Sequence, residues 1–139
     1  MSDNRFNYLL EKIKDVKFSD HPFRHIYIEN FLSESDFKEI ITSEEVNIQK
    51  AISDEELFDK LFAQNYEIIP FAGTTVDMEG YLKWHRGEET SIDYNTACEG
   101  FGVALRLAKP KAEILIQIKE FLASDLFNQT IAEKFGHNL

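Results

Sequence analysis

Residues 21–40 read HPFRHIYIENFLSESDFKEI, a stretch in which an extended apolar segment leads almost directly into a helix. Residues 23–31 are rich in β-branched and aromatic side chains and follow a His-Pro pair, so they predict a β-strand. The next residues carry helix start signals, because Ser33 can accept the backbone N–H of Asp36 and the Asp36 carboxylate lies in the first turn. The stretch therefore predicts a strand followed by a capped helix.

A second helix start with similar signals lies farther along the chain. Ser53 and Glu56 have the spacing of a capping box, in which two side chains satisfy backbone N–H groups at the start of a helix. A hydrophobic staple is predicted at both starts, formed by Leu32 with Phe37 and by Ile52 with Leu57.

Apolar residues recur at helical spacing near both ends of the chain. Residues 6–16 predict an amphipathic first helix, and residues 114–122 predict a later helix whose first turn contains Pro110. Ser124 can cap a last helix, and Gly136 lies where its C-terminal cap belongs.

The middle of the chain has strand periodicity. Apolar and polar side chains alternate over residues 75–85, with Gly80 as a bulge or bend, and again over residues 101–107. The polar residues 86–100 between them predict a loop. The chain is therefore expected to have an α+β fold with about five helices packed on a small, mainly antiparallel sheet of three or four strands, in a single domain spanning residues 1–139.

The composition is that of a folded, acidic protein. Apolar residues make up 43% of the chain and 12 residues are Phe, which argues against disorder. The formal net charge is −10 and the sequence has no cluster of Lys and Arg. We therefore do not expect nucleic acid as a partner.

The cysteine content and the N-terminus indicate a compartment. Cys98 is the single cysteine, which excludes an internal disulfide and argues against a thiolate metal site. The N-terminal residues interleave charged and apolar side chains, unlike a signal peptide, and no apolar run is long enough to span a bilayer. We expect a cytoplasmic protein without membrane contact.

The four histidines are natural candidates for metal or acid–base chemistry. His85 and Glu88 are spaced His-x-x-Glu, whereas a non-haem iron site with two histidines and one carboxylate usually begins with His-x-Asp or His-x-Glu. His137 could be a distant second histidine, but no basic residue follows it to hold a cosubstrate carboxylate. His21 and His25 have the pattern of turn and surface or packed residues. We expect ordinary loop and terminal histidines, and no metal site.

Other catalytic templates are absent from the sequence. It contains no Gly-x-Gly-x-x-Gly, no Gly-rich loop ending in Lys-Ser/Thr and no Gly-x-Ser-x-Gly elbow. Cys98 lies in the polar loop without a base nearby in sequence, which argues against a nucleophile. The residues alone therefore assign no catalytic or cofactor-binding side chain.

Three stretches resemble the 2-oxoglutarate- and Fe(II)-dependent oxygenases of the prolyl-hydroxylase-like class. PFRHIYIENFLS, residues 22–33, is similar to the pattern P-[FY]-x-h-x-x-I-x-N-F-L, a strand that feeds a helix outside the catalytic barrel of those enzymes. GVALRL, residues 102–107, and FLASDLFNQTIAEKFG, residues 121–136, are similar to the strand and helix pair just before their catalytic core. The resemblance spans most of this chain but covers only the N-terminal part of the enzymes in that family. Within the family, the resemblance is to the phage or marine-bacterial type.

This resemblance implies a scaffold region with some substrate surface, within an oxygenase that hydroxylates a protein side chain or a small molecule. The family uses Fe(II) and 2-oxoglutarate, but its His-x-Asp/Glu pair, distal His and following Arg or Lys have no counterpart in this sequence. No cofactor is therefore expected in this chain, which is expected to be a truncated and inactive form.

Two other functions stay open. The chain could be a stand-alone acidic interaction module, such as a phage-type inhibitor of a basic partner or a DNA mimic, without catalysis. It could also be an enzyme in which His85, Glu88 and His137 hold a metal. A sheet face left uncovered would favour a homodimer or a protein partner.

Overall fold

The structure, a computed structural model, describes residues 3–88 and 102–136. These residues form an α+β fold with six helices and one two-stranded antiparallel sheet, which confirms the predicted fold class. In chain order the elements are α1 Tyr8–Asp15, α2 Glu34–Thr42, α3 Asp54–Ala63, β1 Tyr66–Ile69, α4 Met78–His85, β2 Ala104–Leu107, α5 Glu113–Ala123 and α6 Asp125–Lys134.

The chain divides into two compact units. Unit 1 comprises Met1–Asn47 and Lys111–Leu139, and unit 2 comprises Ile48–Pro110, so unit 2 is an insertion in the sequence of unit 1. The single domain that the chain length predicts stays a prediction. Among the helices that the structure describes, none has the length and apolar character needed to cross a membrane.

Unit 1 is built from α1, α2, α5 and α6 around an apolar core. Helix α1 packs against α6, α6 against α5, and α5 against α2. The amphipathic first helix is confirmed, since it buries one apolar face and exposes Glu11 and Lys14. The buried core residues are Phe6, Leu9, Leu10, Ile114 and Phe121.

Unit 2 holds the sheet and two helices. Strands β1 and β2 pair from Tyr66 opposite Leu107 to Ile69 opposite Ala104, and α3 packs against β1. Since side chains alternate between the faces of a sheet, Tyr66, Ile68, Leu105 and Leu107 share one face. The exposed residues of the two strands are Glu67 and Arg106, which lie opposite each other on the second face. The predicted strand over residues 101–107 is therefore present as β2, whereas β1 was not predicted.

The predicted strand over residues 75–85 is wrong, because this stretch contains helix α4. Asp77 caps that helix by accepting the backbone N–H of Gly80 at 3.0 Å. A Cβ on residue 80 would lie 2.3 Å from Asp77 Oδ2, so the glycine permits the cap and does not mark a bulge. The alternation was misleading because apolar residues four positions apart fit both a strand and a helix. One face of a strand would bury Val76 together with Leu82, but Leu82 is buried and Val76 is 59% exposed.

Residues 23–31 do not form the predicted strand, since the segment contains bends at its start and a turn at Glu29 and Asn30. The pairing found in the described part of this region is an isolated bridge between Ser19 and His25, with hydrogen bonds of 2.8 and 2.9 Å. Arg24 lies 4.0 Å above the ring of Phe18 and joins the segment to the chain after α1. Strand-like composition produces a strand only where a neighbouring strand is available, which explains the difference.

The predicted serine caps are confirmed. The hydroxyl oxygens of Ser33, Ser53 and Ser124 each accept a backbone N–H three residues later at 3.2 Å. Gly136 follows α6 with φ of 75°, a left-handed conformation that favours glycine after a helix.

Three details of the helix starts differ from expectation. Glu56 accepts the N–H of Ile52 at 2.8 Å, one residue earlier than in a capping box. Ile52 is 96% exposed, so its predicted staple with Leu57 is wrong. Pro110 precedes α5 and does not lie in its first turn, because that helix begins at Glu113.

Helix α5 has no side-chain cap of its own, and a distant carboxylate takes that role. Its N-cap residue is Ala112. Glu45 is 4% exposed and accepts the backbone N–H groups of Lys111 at 2.9 Å and Ala112 at 2.7 Å. A carboxylate is favourable at the positive end of a helix. Glu45 therefore joins the two sequence segments of unit 1 at the point where unit 2 is inserted.

We predict that Glu45→Gln lowers the free energy of unfolding by about 1–3 kcal/mol, because the part-buried N–H groups of Lys111 and Ala112 lose a charged acceptor. Urea unfolding followed by circular dichroism measures this change. Glu120→Gln removes the same charge from an exposed position of α5 and is expected to change stability by less than about 0.5 kcal/mol. Equal effects of the two substitutions would contradict the capping role.

Candidate functional site

A groove of about 600 Å³ opens in unit 1 at the start of α2. It is lined by Asn30, Phe31, Leu32, Glu34 and Phe37. Ligand pockets commonly have volumes of about 300–1,000 Å³ and mostly apolar walls. Because Phe37 is 52% exposed, the groove presents an aromatic side chain to solvent. This groove is the candidate binding site of the residues that the structure describes.

The backbone on one side of the groove is held by a lysine of α1. Lys12 Nζ donates to the carbonyl oxygen of Asn30 at 2.6 Å and to that of Phe31 at 2.8 Å. Asn30 has φ of 50°, a left-handed conformation that asparagine adopts more readily than most residues. The two hydrogen bonds from Lys12 therefore stabilise an otherwise unfavourable turn beside the groove.

The following turn is held by a tyrosine of the same helix. The Tyr8 hydroxyl donates to Asp36 Oδ2 at 2.7 Å and accepts the backbone N–H of Ser33 at 2.9 Å. Ser33 also caps α2, so one hydroxyl group connects α1 to both the cap and the first turn of α2. Leu32 and Phe37, the predicted staple pair, flank this turn and both line the groove.

Asp36 is a buried carboxylate with a partner on each oxygen. It is 5% exposed, and Arg5 Nη2 donates to its Oδ1 at 2.5 Å and to Glu39 Oε2 at 2.9 Å. Burial acts to raise the pKa of Asp36, but the hydrogen bonds from Tyr8 and Arg5 and the Arg5 charge hold this pKa below its ordinary value. Hydrogen bonds to Glu39 and Asp36 raise the pKa of Arg5. The Asp36–Arg5 ion pair therefore stays charged at neutral pH.

The groove has the chemistry of a binding site. Asn30 offers amide donors and an acceptor, and Glu34 offers a carboxylate, beside the three apolar side chains of the lining. A few polar groups among apolar ones fix the orientation of a ligand, while the apolar contacts supply most of the affinity.

Of the candidate metal triad, the structure describes His85 and Glu88, and each of them has a charged partner of its own. His85 Nε2 lies 3.1 Å from Asp54 Oδ2, whereas Glu88 Oε1 pairs with Arg86 Nε at 3.1 Å. His137 lies outside the described residues, as does the candidate nucleophile Cys98.

His21 and His25 are the other histidines that the structure describes. His25 Nδ1 lies 2.7 Å from the carbonyl oxygen of Phe23, and His21 is exposed. Within residues 3–88 and 102–136, no three His, Cys, Asp or Glu side chains are grouped so that they could hold a metal ion. The described residues therefore do not fit the iron site of the oxygenases that the sequence resembles.

Sequence reasoning missed the groove and the side chains that shape it. One signal was present, since Tyr8 and Lys12 are four residues apart and so share one face of α1, while Arg5 lies in the turn just before that helix. Polar side chains on one face of an amphipathic helix indicate a polar contact with a second element. Only the tertiary structure shows that this second element is the turn before α2.

Comparisons of the chain with protein-family models, with curated proteins and with solved structures found no match.

We predict that Asp36 makes the stability of the protein dependent on acid pH. Since its pKa is lower in the folded state than in the unfolded chain, its contribution is complete above about pH 5 and is lost as the pH falls below about 4 and through the folded-state pKa. Asp36→Asn should lower the unfolding free energy by about 1–3 kcal/mol at pH 7. This difference from the wild type should shrink towards pH 2.

Urea unfolding at a series of pH values measures both effects. Asp59→Asn, an exposed substitution in α3, serves as the control and is expected to change stability at pH 7 by less than about 0.5 kcal/mol. A difference between Asp36→Asn and wild type that stays constant from pH 7 to pH 2 would refute the ion-pair account.

Proposed function

We propose that this chain is the N-terminal scaffold region of a 2-oxoglutarate- and Fe(II)-dependent oxygenase of the prolyl-hydroxylase-like class. The proposal is carried by residues 22–33, whose sequence resembles the segment that enters that fold. This segment leads into the Ser33-capped helix α2. Phe23 and Tyr27 in this segment are 68% and 72% exposed, which suits a segment that further polypeptide covers in the complete enzyme.

The small sheet of unit 2 also supports the proposal. Its two strands form four residue pairs, from Tyr66 to Ile69 on β1. An isolated two-stranded sheet is marginally stable in water, and its open edges readily pair with additional strands. Strand β2 lies within the GVALRL stretch that resembles the family. We infer that further strands of the oxygenase extend this sheet.

In the proposed enzyme, this region provides scaffold and part of the surface that faces the substrate. Because its described residues do not group into a metal site, the iron and 2-oxoglutarate would be held by other residues of the enzyme.

The 139-residue chain is therefore expected to bind neither Fe(II) nor 2-oxoglutarate tightly. Calorimetric titration of each compound into the chain, with Fe(II) kept under anaerobic conditions, should give no measurable micromolar binding. Micromolar affinity for either compound would overturn the assignment of a scaffold role.

A longer gene product provides the positive test. The reading frame after residue 139 is expected to encode a His-x-Asp/Glu pair, a distal His and a following Arg or Lys. The longer product should form succinate from 2-oxoglutarate when Fe(II) is present, and substitution of the histidine of that pair by Ala should abolish this activity. A reading frame that stops without these residues would contradict the proposal.

Tyr27 reports separately on whether further polypeptide covers the entry segment. Tyr27→Ser should lower the stability of the 139-residue chain by less than about 0.5 kcal/mol, because this side chain is 72% exposed. In the longer product, where the ring is expected to be covered, the same substitution should cost about 1–3 kcal/mol. Equal small effects in both chains would show that the segment stays uncovered.

A further inference from the structure

Exposed apolar side chains lie along α2 beyond the groove at its start. Phe37 and Ile41 lie one helical turn apart and are 52% and 43% exposed. With Phe31 and Leu32 of the groove lining they form a track of apolar side chains, which we call the α2 track. The track extends beyond the groove by about 5 Å, one helical turn. Its length suits a polypeptide segment better than a small molecule.

A carboxylate at the edge of this track is left without an ionic partner. Helix α2 carries three acidic residues, and two of them, Asp36 and Glu39, are paired with Arg5. Glu34 lines the groove and forms no ion pair among the described residues, not even with Lys38 one turn farther along α2. A positively charged group of a ligand can therefore pair with Glu34 without displacing an existing partner.

The net charge of the chain indicates which kind of ligand can bind to the α2 track. With a formal net charge of −10, the protein repels anionic ligands and further copies of itself. A basic ligand is attracted, and electrostatic complementarity of this kind raises the association rate and selects among partners.

The turn beside the α2 track is also held in place before any ligand arrives. Lys12 binds the carbonyl groups of Asn30 and Phe31, and Tyr8 binds the N–H of Ser33. A site that is already ordered loses little conformational entropy on binding, which favours affinity.

We propose that the α2 track docks a segment of another protein that presents two or three bulky apolar side chains next to a Lys or Arg. The apolar side chains contact Phe31, Leu32 and Phe37, and the basic side chain pairs with Glu34. Amphipathic helices recognise grooves in this way, through apolar anchors one turn apart. The inference rests on the groove and its charge, and it holds whether or not the chain belongs to an oxygenase.

Selection from a library of random twelve-residue peptides tests this proposal with the 139-residue chain. Peptides are selected on the wild-type protein after counter-selection on Phe37→Ala, and their dissociation constants are then measured by fluorescence anisotropy. The enriched peptides are expected to share two or three bulky apolar residues and a Lys or Arg. Failure to enrich any peptide, or enrichment of acidic or purely polar peptides, would overturn the proposal.

Matched variants locate the binding site. Phe37→Ala should weaken binding of the selected peptide about tenfold or more, as expected for an interface anchor, whereas Leu122→Ala on the exposed side of α5 should change it less than about twofold. Glu34→Lys and Glu120→Lys alter the net charge equally, but only Glu34→Lys should weaken binding about five- to tenfold. Equal effects within either pair would show that the peptide binds elsewhere or by general charge attraction.

Self-association is the competing occupant of the α2 track. Sedimentation velocity of the wild type at increasing protein concentration should show one species whose size does not change. A concentration-dependent dimer that Phe37→Ala dissociates would mean that the track binds a second copy of the chain, and it would overturn the proposal of a basic partner.

Discussion

The buried carboxylate of Asp36 constrains how the first two helices of the chain meet. A charge removed from water must be paired or it destabilises the fold strongly. Arg5, just before α1, donates to one oxygen of Asp36, and Tyr8, the first residue of α1, donates to the other. Helix α2 must therefore present its first turn to α1, and the Tyr8 hydroxyl binds the N–H of Ser33 in the same arrangement. The groove lies beside this turn, so its shape depends on the pairing of one carboxylate.

A second buried carboxylate has a comparable role at the other end of α2. Glu45 lies just after α2 and binds the backbone N–H groups at the start of α5, 66 and 67 residues away in sequence. The acidity of the protein is therefore not merely a property of its surface. Asp36 and Glu45 connect separate segments of unit 1, while Glu34 forms no ion pair among the described residues. In the proposed docking of a basic segment, acidic residues of this chain would therefore serve both packing and recognition.

The features that sequence predicted correctly depend on local contacts. The caps by Ser33, Ser53 and Ser124 join residues three positions apart, so their hydrogen bonds can be inferred from composition and spacing alone. The first helix was predictable because its buried and exposed faces follow the period of 3.6 residues.

The features that sequence missed depend on distant partners or on ambiguous periods. The bond between Tyr8 and Ser33 spans 25 residues, and no local pattern specifies it. Residues 23–31 have strand composition without a strand beside them in the described structure, and α4 has apolar residues that fit both strand and helix spacing. The local signal that distinguishes a helix from a strand here is Asp77, whose carboxylate accepts the backbone N–H of Gly80 at the start of α4. The groove could not be predicted, because the turn that lines it is held by hydrogen bonds from Tyr8 and Lys12, which lie on a different helix.

The central claim is that polar side chains of α1 hold the turn that shapes the groove, and amide hydrogen exchange of Tyr8→Phe measured by NMR tests it most directly. This substitution removes the hydroxyl that accepts the Ser33 N–H and leaves the aromatic ring in place. The exchange rate of the Ser33 amide should rise about five- to tenfold, as expected for the loss of one hydrogen bond of about 1 kcal/mol. Amides of α6 should be unaffected and provide the internal control. Unchanged protection of Ser33 would contradict the claim that Tyr8 fixes this turn.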